Sequence, residues 1–301
     1  MNENIDSIDV NQNSEQYKPS LKIGDILDSI FALYRNNYKL YLSIALIYFI
    51  ALLLEYSLKG FIPGSIQGEI IPVLISMPFG IIAISAGVYA TGSLYLEREI
   101  SADDIFKRIF HRLVPLIGSH LIVRAILALG LMSVSFSMLM TLRLGLPSIL
   151  PGIIIGFIIL LISIYIIVSW MFHIPVILYE IPKVGYALKK SYNLTKFSWW
   201  RIVFIVFLIL IICYAISTII TLSVSSIMYV FNIAGNTNYQ DLLQWMFLNE
   251  VLDSDNLYFY SIMTFVNLFM RGIVFPLWVI GYTLIYIDRK IQVDGVFDIQ
   301  N

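Results

Sequence analysis

Ile153 to Leu178 reads IIIGFIILLISIYIIVSWMFHIPVIL and contains no Asp, Glu, Lys or Arg. A run of about 20 apolar residues is what an α-helix needs to cross roughly 30 Å of hydrocarbon, because a helix satisfies its backbone polar groups within itself. Five further stretches pass the same test: Leu40 to Leu58, Ile70 to Tyr95, Val114 to Met140, Trp200 to Val230 and Tyr260 to Tyr286. Across the 301 residues, 59% are hydrophobic and 13% charged, against the roughly 25% charged of an average soluble domain. A water-soluble fold does not fit. The expected fold is an all-α, polytopic membrane helical bundle of six spans.

The placement of charge sets the expected direction, since basic residues are retained on the cytoplasmic side. Lys18, Lys22, Arg35 and Lys39 precede the first span, and Arg98, Lys107, Arg108 and Arg112 lie in the second connection. Lys183, Lys189, Lys190, Lys196 and Arg201 lie in the fourth, and Arg289 and Lys290 follow the last span. The alternate connections hold only Lys59 and Arg143. Both termini are therefore expected in the cytoplasm of a cell-membrane protein. The expected organisation is a disordered tail over 1–19, one membrane domain over 20–290 and a C-terminal tail over 291–301. The segment up to Pro19 is polar and lacks an apolar core, so no cleavable signal peptide is expected. In the acidic fifth connection, Tyr239 to Leu252 spaces Leu242, Trp245, Met246 and Leu248 as an amphipathic helix along the outer interface.

Three amphipathic stretches each precede a span from the basic side: Leu21 to Tyr34, Ser101 to Leu113, and Lys183 to Lys196. In the first, Ile23, Ile26, Leu27, Ile30, Phe31 and Tyr34 share one face. Ser101 with Asp104 resembles a capping box opening the second. Ile23-Gly24 through Leu33 and Arg35 aligns without gaps on Val184-Gly185 through Leu194 and Lys196. The reading is three parallel repeats of a short helix plus a two-span hairpin, because a unit with an even number of spans preserves orientation. The alternative is that any loop meeting anionic headgroups becomes basic and amphipathic independently.

Two arginines stand in the wrong solvent. Arg124 lies about ten residues into the third span and Arg271 about eleven into the sixth, which at about 1.5 Å per residue is near mid-membrane. His120 and Asn267 each sit four residues earlier, on the same helical face. Glu55 is the acidic residue closest to the hydrocarbon. One reading is a cationic site for an anionic ligand or lipid phosphate, since a guanidinium offers such groups a planar two-pronged donor. The other is structural, with the arginines paired to Glu55 or to carbonyls freed near Gly272 and Pro276, or snorkelling to an interface.

Glu180-x-Pro182-x4-Ala187-x-Lys189-Lys190-Ser191-x2-Leu194 leads to Trp199-Trp200-Arg201, and Tyr282-Thr283-x2-Tyr286-x-Asp288-Arg289-Lys290 continues through Asp294-Gly295-x-Phe297-Asp298. With Leu21-Lys22-Ile23-Gly24-Asp25-Ile26-Leu27-Asp28, these segments resemble the membrane-domain family associated with glycerophosphoryl diester phosphodiesterases, which also occurs as stand-alone proteins. The resemblance runs from about Leu21 to Ile299. It implies a membrane module without the hydrolase, which in that family belongs to a separate soluble barrel domain; the longest polar stretch here is under about 30 residues, too short for one. Residues Asp288 to Asp298 are expected to form a salt-bridged belt with the basic helices.

Cys213 stands alone, so no intrachain disulfide and no metal-ligand cluster is expected, and no cofactor. No Gly-rich phosphate loop or Ser/His/Asp arrangement is present, and an intramembrane enzyme would need His120, His173 and Glu55 to converge. No basic-aromatic groove suggests nucleic acid. The expected partners are membrane lipids, and another membrane or cytoplasmic protein. The leading expectation is a non-enzymatic module that binds lipid or a partner; its rival is a small transporter or lipid-translocating protein working through Arg124 and Arg271, with breaks around Pro147, Pro151, Gly152, Gly272 and Pro276.

Overall fold

The computed structural model describes residues 22–61, 66–143, 150–230, 257–295 and 297–299. Every regular element among them is an α-helix: α1 (Ile23–Asn36), α2 (Tyr38–Phe61), α3 (Ile66–Tyr95), α4 (Ala102–His111), α5 (Leu113–Arg143), α6 (Leu150–Ser169), α7 (His173–Tyr179), α8 (Val184–Thr195), α9 (Trp199–Val230) and α10 (Leu257–Asp294). Six spans are long and apolar enough to cross a membrane: α2, α3, α5, α6 with α7, α9 and α10. The tail 1–19, the helix expected at Tyr239 to Leu252 and the Pro147 break lie outside the described residues.

The order short helix, span, span occurs three times, as α1–α2–α3, α4–α5–α6/α7 and α8–α9–α10, and the two spans of each unit pack on each other. The short helices are amphipathic for readable reasons. Ile26 and Ile30 bury one face of α1, Ile105 and Ile109 one face of α4, and Ala187 and Leu194 one face of α8. At the start of α1, Asp25 reaches back to accept the Lys22 backbone N–H at 3.0 Å. The Ser101 hydroxyl accepts from the Asp103 N–H at 3.3 Å, so α4 opens on a simple N-cap and not on the expected pairing with Asp104.

α10 is the central helix. Of its apolar window 72% is buried within the protein, against 17–44% for the other spans, and it packs on α1, α2, α3, α8 and α9. Close approach is permitted by small residues: a Cβ added at Gly87 would stand 2.6 Å from Val279 Cγ1, and one at Gly281 2.6 Å from Ile209 Cδ1 and 2.8 Å from Ile30 Cδ1. By contrast α6 presents Ile153, Ile154, Ile155, Phe157 and Ile158 outward. Such a continuous apolar face is what acyl chains solvate and water does not.

Several elements differ from the sequence expectation. α10 runs unbroken through Gly272 and Pro276, where breaks were expected. The fourth span is broken at Trp170–Phe172, and the freed backbone groups are recaptured by side chains, as hydrocarbon demands. Ser191 and Thr195 of α8 donate to the Ser169 carbonyl at 3.0 and 3.2 Å, Ser191 Oγ accepts the Phe172 N–H at 2.9 Å, His173 Nδ1 donates to the Trp170 carbonyl at 2.9 Å, and the Tyr282 hydroxyl donates to the Met171 carbonyl. The sixth span also runs on as a helix to Asp294, past both Tyr286 and the boundary expected at 290. Its added turns carry charges that find partners on α8, α9 and the α7–α8 turn, so helix continuation there is stabilised by pairing as well as by the burial of Ile287 and Ile291.

Candidate functional site

The charged end of the bundle is assembled from the residues of the closing motif. Lys290 Nζ stands 2.7 Å from Glu180 Oε1, a carboxylate that also accepts from the Tyr286 hydroxyl at 3.0 Å and from the Tyr186 hydroxyl at 2.8 Å. Asp294 binds Lys290 at 2.9 Å and Lys190 at 2.7 Å, tying α10 to α8. Asp288 pairs with Arg201 at 3.2 Å and accepts from Gln292 at 2.9 Å. Arg289 donates through Nε to the Leu194 carbonyl at 3.2 Å. Beyond Gly295, whose φ of +82° suits a residue without Cβ, the chain turns back so that Phe297 packs on Tyr95, Tyr179 and Tyr286 while Asp298 pairs with Arg98 at 2.6 Å. Pro182 and Lys189 are exposed; Lys189 makes no ion pair among the described residues.

Arg112, which carried no special expectation, holds this end together. It is buried, and its guanidinium donates to the carbonyls of Ile177 at 2.5 Å, Leu178 at 3.2 Å and Glu180 at 2.8 Å, capping the end of α7. Burial, with Arg108 beside it, pulls its pKa down to about 10, which leaves it protonated at neutral pH. Tyr186 is pushed up to about 12 by burial and the Glu180 carboxylate, so its hydroxyl stays a donor to Glu180 at any ordinary pH.

The two spanning arginines meet in one place. A cavity of about 670 Å³ is lined by His120 and Arg124 of α5, Tyr48 of α2, Gly80 and Ile84 of α3, a stripe of α9 from Leu210 to Thr221, and Asn267, Arg271, Phe275 and Trp278 of α10. Arg124 donates from Nε to His120 Nε2 at 2.9 Å. Arg271 makes no hydrogen bond or ion pair among the described residues, and both guanidiniums are exposed to the cavity. Glu55 neutralises neither. It pairs with Lys59 at 3.3 Å and accepts from Ser76 at 3.3 Å, and it lines an adjoining cavity of about 610 Å³ that shares Asn267 and Arg271 with the first. Arg271 thus stands at the junction of the two. On the other side, Phe172, Tyr179, Tyr282 and Tyr286, none more than 4% exposed, form packed core between the cavity and the charged end.

The signal for the cavity's remaining lining lay in the sequence unread. Cys213, Ser217 and Thr221 recur every four residues on α9, a weakly polar stripe on an otherwise apolar helix. His120 and His173 come together, with ring centroids 5.9 Å apart, while Glu55 stays with Lys59. Among the described residues no three His, Cys, Asp or Glu side chains converge as metal ligands would. A scan against protein-family models, a search of curated proteins and a search of solved structures each return no match.

Proposed function

We propose that this multi-pass membrane protein is a binding module for an anionic lipid headgroup, held in the midplane cavity by Arg124 and Arg271, with the charged belt on the cytoplasmic face of the cell membrane. The observation that carries the reading is the convergence of two guanidiniums on one cavity with no carboxylate among its described lining residues. An ion in hydrocarbon costs several kcal/mol unless it is paired, and a phosphate oxyanion supplies the missing charge with a geometry that guanidinium donors match. The apolar parts of the lining, Leu210, Val274, Phe275 and Trp278, suit the rest of an amphiphile. The basic short helices and the uneven sharing of lysine and arginine between alternate connections support the orientation. The resemblance to the phosphodiesterase-associated membrane domain fits a module of this kind.

A second reading, translocation of the same anion, is favoured by one observation: Asn267 and Arg271 line both cavities, which gives the midplane site a polar approach from the end away from the belt. Native mass spectrometry of protein released from phosphatidylcholine nanodiscs doped with phosphatidylglycerol tests the binding reading, with dimethyl phosphate as the soluble counterpart. A phosphatidylglycerol adduct lost in Arg124→Gln/Arg271→Gln is the expected result. Displacement by dimethyl phosphate would make a free oxyanion the ligand, and adducts unchanged in the variant would return both arginines to structural duty.

A further inference from the structure

Beside the cavity lies a pair of imidazoles whose hydrogen bonds fix their tautomers. A guanidinium Nε can only donate, so His120 Nε2, which takes the bond from Arg124 at 2.9 Å, is the acceptor and His120 Nδ1 carries the proton. On the facing ring, Nδ1 bonds the Trp170 carbonyl at 2.9 Å, so it is the donor and Nε2 carries a lone pair. His120 Nδ1 and His173 Nε2 are then one donor and one acceptor, both buried and both without a hydrogen-bond partner among the described residues. The rings are 5.9 Å apart and His173 is only 5% exposed. Leaving such groups unpaired forfeits their hydration without return, which makes the pair a built polar site that packing alone does not explain.

We propose that the cavity takes up its anion together with a proton, which lands on the free Nε2 lone pair of His173. This rests on the anion-binding reading above. The charged and titratable groups facing the pair are Arg124 on α5, Tyr48 on α2, Cys213 and Tyr214 on α9, and Arg271 on α10; α3 contributes Gly80 and Ile84. Of the titratable groups of α6 and α8, Tyr165 stacks on Trp199, Tyr186 donates to Glu180 and Lys190 pairs with Asp294. None of the facing groups is a carboxylate, and two are permanent cations. With the cavity free of an anion, those cations oppose an imidazolium. An anion between them removes that opposition, so anion and proton each favour the other's binding, by the same factor in both directions. The proton comes from bulk water and no bond other than N–H forms.

The linkage has a definite sign. The bound anion raises the imidazole pKa, so affinity is flat at high pH, tightens as pH falls through the raised pKa, and levels off below the pKa of the anion-free pair; between the two the limit for one proton is tenfold per pH unit. Phosphatidylglycerol is the probe, because its phosphodiester keeps one charge across pH 5–8. Binding to the full-length protein in phosphatidylcholine nanodiscs is measured through that range for wild type and for His120→Gln/His173→Asn, whose amides keep the bonds to Arg124 and to the Trp170 carbonyl. Wild type is expected to bind several-fold to tenfold tighter at the acid end, and the variant to keep the alkaline affinity throughout. A slope that persists in the variant, or Arg124- and Arg271-dependent binding that is flat in wild type, overturns the proton inference alone. No binding at any pH overturns the anion reading with it. Should the variant fail to fold, proton uptake by wild type on adding the lipid, read with an indicator dye in weak buffer, decides the matter: about one proton per bound lipid is expected, and none overturns the inference.

Discussion

The belt and the midplane cavity both place charge where water is scarce, and they resolve it in opposite ways. At the belt each carboxylate has a cation from another part of the chain, Glu180 with Lys290, Asp294 with Lys190 and Asp288 with Arg201, and the buried Arg112 and Arg289 are held by backbone carbonyls. In the cavity Arg124 has a histidine, Arg271 has no hydrogen-bond partner among the described residues, and no carboxylate is among the described lining. Complete pairing fixes one arrangement of helices and leaves nothing for a ligand to neutralise. Incomplete pairing is tolerated only where something from outside completes it. The difference teaches which charges in this protein are architecture and which are available for function, and substitutions at each place sharpen it.

The largest effect is expected at the belt. Lys290→Met leaves Glu180, only 4% exposed, without its cation, and breaking a buried pair in this way costs about 3–5 kcal/mol. Unfolding in detergent should show that loss, and adding Glu180→Gln should recover part of it, because a neutral amide can accept from one of Tyr186 and Tyr286 and donate to the other. Next comes Arg112→Ala, which abandons the Ile177, Leu178 and Glu180 carbonyls at a cost of about 3 kcal/mol for charge-assisted bonds; Arg112→Lys should restore only a fraction, having no fork. Gly281→Ala drives a methyl against Ile209 and Ile30 and should lower stability by about 1–3 kcal/mol through overpacking. Arg98→Ala breaks an exposed pair with Asp298 and should cost less than about 1 kcal/mol. If Lys290→Met proved as mild as Arg98→Ala, the belt would not be the architectural element described.

Much of this was readable in advance, and the rest was hidden for identifiable reasons. Spans are legible because hydrocarbon imposes length and apolarity on each segment independently. The short helices were legible because amphipathic spacing is local, and their positions before α2, α5 and α9 follow the sequence periodicity to within two residues at their starts. The Trp170–Phe172 break was half legible: Pro175 has no N–H for the Met171 carbonyl four residues back, but that Ser191, Thr195 and Tyr282 arrive from other helices to take the freed carbonyls is a fact of packing. The extension of α10 to Asp294 was hidden in the same way, because Asp288 to Asp294 reads as a polar tail until Arg201, Glu180 and Lys190 are placed beside it. At the cavity, the spacing of His120 to Arg124 and of Asn267 to Arg271 put each pair on one face. That the two faces look into the same space, and that Glu55 turns to Lys59, are facts of packing that no spacing contains.

The most direct test of the central claim measures thermal stability in phosphatidylcholine nanodiscs with and without phosphatidylglycerol, for wild type and Arg124→Gln/Arg271→Gln. A ligand that binds only the folded protein raises its Tm by mass action. The account predicts that the lipid raises the wild-type Tm, while the variant keeps at least the wild-type basal Tm and does not respond. A variant that loses basal stability on the scale of Lys290→Met, or that responds to the lipid as wild type does, would show the midplane arginines to be architecture like the belt.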